Sequence, residues 1–175
     1  MFDDDDTGGK SHDKIKKMPV FKKAWEIMVL GSKIGGTISK DDHYSEDDAD
    51  GEMLEMYANY IIENSLQIPA KIVSAETADI YDIRMENAAI IRKATRKILT
   101  SCSGLQLCGY KEDDFLQLLR DAIEEFRILF AEWVKTFDEW DYTIDRWGLF
   151  NPPGVNYDDY DPDDDIPFDA DNFFD

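Results

Sequence analysis

The chain has 175 residues, 43% of them hydrophobic and 13% aromatic, and a formal charge of -20. That is enough length and apolar content for one domain with a real core. No apolar run approaches the roughly 20 residues of a membrane span. The start, Met1-Phe2-Asp3-Asp4-Asp5-Asp6, is the reverse of a basic signal peptide, so a cytoplasmic location without membrane contact is expected.

The charge is unevenly spread. Residues 1–13 carry a net -4 and residues 141–175 a net -10, whereas residues 14–40 carry +6 and residues 81–100 carry +3. A mixed-charge body between two acidic arms does not exclude nucleic acid, whatever the total. The cysteines, Cys102 and Cys108, have neither zinc nor redox spacing and read as reduced thiols in or near the core.

Residues 1–17 read as a disordered arm, acidic and then basic. From Pro19 a helix can begin, because proline is tolerated in a first turn. Its expected buried stripe is Phe21, Ala24, Trp25, Met28 and Ser32. Gly31, Gly35 and Gly36 are expected to weaken and end it. A loop rich in Asp, Ser and Gly follows; Glu46, Asp48, Asp50 and Gly51 match part of a calcium-loop pattern that then fails at Tyr57. The second helix is expected over about Glu52 to Ala78, with Leu54, Ala58, Ile61, Ser65, Ile68, Ile72 and Ala75 in one phase. Pro69 lies mid-helix, and the unbroken phase implies a kink rather than a break.

The third helix is expected from about Ile80 to Leu105, its stripe being Ala88, Ile91, Thr95, Ile98, Leu99 and Cys102. Arg84 falls toward the core side, as an interhelical or subunit contact. Glu112, Asp113 and Asp114 then favour the start of a fourth helix. Phe115, Leu118, Leu119, Ala122, Phe126, Leu129, Phe130, Trp133, Phe137 and Trp140 recur at steps of three and four, one side of a helix reaching Trp140. The fold class is therefore all-α, an antiparallel four-helix bundle over residues 18–140. An aromatic segment over 141–155 is expected to cap the bundle end with Trp140, Tyr142, Trp147 and Phe150. An acidic, disordered tail covers 156–175.

Phe21-Lys22-Lys23-Ala24-Trp25, Gln67-Ile68-Pro69-Ala70-Lys71-Ile72, Leu105-Gln106-Leu107-Cys108-Gly109-Tyr110 and Glu132-Trp133-Val134-Lys135-Thr136-Phe137 occur in this order at the ends and middles of these helices. In order and spacing, residues 19–140 resemble the small bacterial four-helix bundle family. Its members include rRNA intervening-sequence proteins and the accessory variability determinants of diversity-generating retroelements. The resemblance implies a homo-oligomer, commonly a homopentamer. It implies a non-enzymatic accessory protein that binds reverse transcriptase and its template RNA and supports mutagenic cDNA synthesis. The family's retroelement members are usually strongly basic, whereas this body is slightly acidic.

Arg92, Lys93, Arg96 and Lys97 form two i, i+4 pairs, a geometry suited to tracking a phosphate backbone or to an ordinary solvated face. Lys22 and Lys23, with Lys14, Lys16 and Lys17, form a second basic cluster with the same two readings. In the tail, Asp163-Asp164-Asp165-Ile166-Pro167-Phe168 resembles the C-terminal peptide by which bacterial single-stranded-DNA-binding proteins recruit partners. Seven residues follow Phe168, so the terminal carboxylate of that peptide is missing. The alternative to RNA binding is thus a protein–protein adaptor or nucleic-acid mimic acting through the acidic-aromatic tail. An enzyme is not expected. His12 and His43 lie in an arm and a loop, no Glu-x-x-His occurs, and Gly31-Ser32-Lys33-Ile34-Gly35-Gly36 lacks phosphate-loop spacing. No cofactor or metal is expected.

Overall fold

The computed structural model describes residues 13–38 and 49–161. Among the described residues the protein is all-helical, without a strand. A short helix, α1, is described over residues 13–17 and buries Ile15, so this end of the N-terminal arm joins the core. Four long helices follow: α2 (Pro19–Ile38), α3 (Ala49–Ala78), α4 (Tyr81–Leu107) and α5 (Asp113–Val134). Their apolar faces meet in one core.

In α2 the inward face is Val20, Ala24, Ile27, Gly31, Ile34 and Ile38. This lies beside the expected stripe: Ala24 is buried, but Trp25 is 53% exposed and Ser32 points outward. Aromatic size suggested the wrong seam, because the closest helix approach here is made through glycine. Gly31 is buried, and a Cβ on it would collide with Ser65 Oγ and stand 2.9 Å from Ser65 Cβ on α3. The glycines therefore do not end the helix, which continues to Ile38. They let α2 lie close against α3.

Every member of the α3 stripe, from Leu54 to Ala75, is buried. Pro69 sits inside the helix without interrupting it. Asp79 turns the chain at φ 53°, and α4 begins two residues later. α4 packs chiefly against α3, burying Ala88, Ile91, Ala94, Ile98, Cys102 and Leu105, while Thr95 and Leu99 are half-buried.

The α5 interior face is Leu116, Leu119, Ala122, Ile123, Phe126 and Trp133. Phe115 and Leu118 face outward, and the helix ends at Val134 rather than continuing to Trp140. The Thr136 amide donates to the Trp133 carbonyl and the Phe137 amide to the Val134 carbonyl, i to i-3 bonds that tighten the last turn. This folds Phe137 edge-on against Trp133, with ring centroids 4.9 Å apart. α5 packs on α2 and touches α4 only thinly.

A buried polar knot joins three helices. Glu76 at the end of α3 accepts from Arg84 on α4 and from Trp133 Nε1 on α5 at 2.8 Å. Arg84 is 8% exposed, reaches Asp79 Oδ1 at 3.2 Å, and lies 4.2 Å over the Phe137 ring. Arg84 is thus the interhelical contact its position implied.

After α5 the chain is tied back to the start of α4. The Tyr81 amide donates to the Asp141 carbonyl at 2.7 Å, and the Thr143 amide and hydroxyl donate to the Asp82 carboxylate at 3.0 and 2.9 Å. Asp145 then organises a loop, accepting from the amides of Trp147, Leu149 and Phe150. Those bonds, Phe150's foremost, hold the Asp145 carboxyl below its ordinary range. Arg146 donates to the carbonyls of Tyr157 and Asp159, laying residues 157–159 beside 146–149.

Candidate nucleic-acid interface

The middle of α4 presents Arg92, Lys93, Arg96 and Lys97, all exposed. At 3.6 residues per turn, Arg92 stacks with Arg96 and Lys93 with Lys97, two columns about one helical pitch long. The four border a shallow cleft with the small side chains Ala89 and Thr100. Among the described residues no carboxylate forms an ion pair with any of them. Lys97 leans on α3, its ammonium 3.9 Å from the centre of the Tyr60 ring, which holds the charge in place without neutralising it.

The second basic cluster is differently placed. α2 packs on α3 and α5 rather than on α4, so Lys22 and Lys23 stand apart from the α4 row. Lys23 bridges Glu125 of α5 at 2.6 Å and Glu26 at 2.7 Å. Hydrogen bonding to Glu125 and then Glu26 raises its pKa. Its charge is engaged in joining α2 to α5, whereas Lys22 is exposed. Asp163, Asp164, Asp165, Ile166, Pro167 and Phe168 lie outside the described residues, as do His12, His43, Glu46 and Asp48.

A groove that the sequence reading missed runs beside the α4 cations. Between α4 and α5, Ile91, Leu99, Phe126, Phe130 and Val134 line an opening of about 490 Å³. Arg92 and Arg96 stand on its α4 rim. Arg127 stands on the α5 rim, paired with Glu124. Leu99 and Phe130 were assigned to the core by spacing, and both are only half-buried. Phe126, Leu129, Phe130 and Trp133 span an arc of about 100°, the ordinary width of a buried stripe, so spacing alone carried no signal for the groove.

The late aromatics do not cap the bundle in the way expected of them. Trp140 is 91% exposed, Trp147 is 89% exposed, and Leu149 is exposed beside them in sequence; Tyr142 and Phe150 are half-buried. The hydrogen bonds around Asp82 and Asp145 fix this segment's backbone, leaving the large rings outward.

Neither cysteine is in a disulfide; Cys102 is buried and Cys108 half-buried. Burial pushes the Cys102 thiol up to about 11, away from nucleophilic chemistry. Among the described residues no three His, Cys, Asp or Glu side chains gather as a metal would require, and no helix is long and apolar enough to cross a membrane. No family model, curated protein or solved structure matches the chain.

Proposed function

We propose that this chain is a non-enzymatic, RNA-binding accessory protein. The resemblance of residues 19–140 sharpens the reading: an antiparallel four-helix bundle, assembled as a homo-oligomer of about five copies, that binds a reverse transcriptase and structured template RNA or an RNA/DNA hybrid. Its role would be to support mutagenic cDNA synthesis in a diversity-generating retroelement. The observation that carries the reading is the row Arg92, Lys93, Arg96 and Lys97. Four exposed cations without carboxylate partners among the described residues stand on one helix of a chain whose net charge is -20. Repeated around an oligomer, a weak single row becomes useful avidity.

Structured RNA titrated at low salt tests this. Four phosphate contacts give a log–log salt slope of about -3 to -4 for a single row. Reversing all four charges abolishes the mobility shift. Deleting residues 157–175 strengthens it by removing a competing polyanion. Absence of any shift, with or without the tail, rejects the reading.

A second reading, a protein adaptor acting through the C-terminal region, is favoured by the outward Trp140 and Trp147. Under that reading Trp140→Ser with Trp147→Ser abolishes partner capture, as does the same deletion if the acidic tail takes part, and the chain shifts no RNA.

A further inference from the structure

We propose that the apolar groove between α4 and α5 receives the C-terminal aromatic segment of a second copy of this chain. Trp147 and Leu149 enter between Phe130 and Leu99, and acidic residues of the segment face Arg92, Arg96 and Arg127. The inference rests on the oligomeric part of the function proposed above and supplies the interface that part lacks.

Three observations favour this occupant. The first is shape and polarity. The groove is an open cleft with an aromatic and aliphatic floor, and Trp140, Trp147 and Leu149 are large apolar side chains left in solvent on a fixed backbone. A rigid donor loses little conformational entropy on docking.

The second is charge. Residues 138–161 carry seven acidic residues and one arginine, while the groove rim holds three arginines and one glutamate. Opposite potentials steer such faces together and fix their register.

The third is tethering. The bonds from Tyr81 and Thr143 anchor the segment at the start of α4. The groove begins about two and a half turns further along α4, at Ile91. No residue of the segment lines the groove of its own copy, and Trp147 and Leu149 stand in solvent on a loop held by Asp145, so the two faces are matched between copies. Donor and acceptor surfaces differ, making the contact heterologous, the kind that closes into a ring when the rotation permits. Lys93 and Lys97 do not line the groove and remain outside it for RNA, so each assembled copy offers two phosphate contacts where an unassembled chain offers four, and the salt slope per copy falls to about half on assembly.

The test uses the full chain and sedimentation velocity across a concentration series. Two variants change only exposed positions: Ala131→Glu, which obstructs the groove, and Trp147→Ser with Leu149→Ser, which removes the donor. Circular dichroism verifies that each keeps its helix content. The wild-type chain is expected to self-associate, and each variant alone to do so about tenfold more weakly or worse. An equal mixture of the two is expected to form dimers and nothing larger, because it contains only one competent groove–segment pairing. An oligomer that persists unchanged in both variants overturns this interface while leaving the oligomeric reading intact. A wild-type chain that stays monomeric overturns both. Association that arises only on deleting residues 162–175 assigns the groove to the chain's own C-terminal arm and overturns the proposal.

Discussion

Glu76 illustrates how much one side chain can hold. Its carboxylate answers a buried guanidinium on α4 and an indole N–H on α5, so it links the ends of three helices. Glu76→Ala leaves Arg84 with the more exposed Asp79 as its remaining partner. Removing one member of a buried pair costs about 3–5 kcal/mol, and the surviving Asp79 contact places this variant near the lower end. Trp133→Phe loses a hydrogen bond to a charged acceptor, about 1.5–3 kcal/mol, and part of the ring packed on Phe130 and Phe137. It strands no buried charge, so it is expected to cost less than Glu76→Ala. Urea denaturation of the two variants measures that ordering; equal losses would mean that the knot contributes through packing alone. Asp145 makes a pH-dependent counterpart. Its folded pKa lies below the ordinary carboxylate value, so its contribution is present above the ordinary range and is lost as pH falls through the folded value. Protection factors of the Leu149 and Phe150 amides are expected to drop on that acidification, and Asp145→Ala to reproduce the loss at neutral pH.

At the scale of the helix, what was legible in the sequence depended on how clean the seam was. The α3 face could be read residue for residue because Ile and Leu hold one phase from Leu54 to Ala75 and are drawn inward on both sides of Pro69. The α2 face was read one position away because its contact with α3 is made by Gly31, a residue whose contribution is the absence of a side chain. Two glycine substitutions separate these effects. Gly31→Ala gains about 1 kcal/mol in helix propensity but meets Ser65, and overpacking costs about 1–3 kcal/mol, so the net is destabilising or neutral. At Gly36 a Cβ would meet nothing within 4 Å, and Gly36→Ala is expected to stabilise by a few tenths to 1 kcal/mol. Chemical denaturation reads both; stabilisation by Gly31→Ala would show that the two helices can part without cost. The end of α5 was illegible for a different reason. Trp140 continues the period of the helix, but nothing local announces the tightened turn after Trp133 that sends it into water.

For the whole molecule, a total charge of -20 hides a sequence in which basic stretches, 14–40 and 81–100, alternate with acidic ones. The α4 row was found from i, i+4 spacing alone, since a helix carries such residues on one face wherever it packs. The groove beside it could not be found that way, because it follows from α5 packing on α2 and only thinly on α4, a property of helix pairing rather than of either stripe. Lys22 and Lys23 show the converse: similar in sequence to the α4 cations, they sit on a helix that packs on α3 and α5 instead, and one is already paired. Reversal of Lys22 is therefore expected to weaken RNA binding less than reversal of Lys93 or Lys97, as measured by filter binding.

The most direct measurement of the central claim is the salt dependence of structured-RNA binding by the wild-type chain and by a variant with Arg92, Lys93, Arg96 and Lys97 all changed to Glu. The account predicts measurable low-salt binding with a steep slope in the wild type and none in a variant that retains its helicity. Undiminished binding by that variant, or no binding by the wild type, would contradict it.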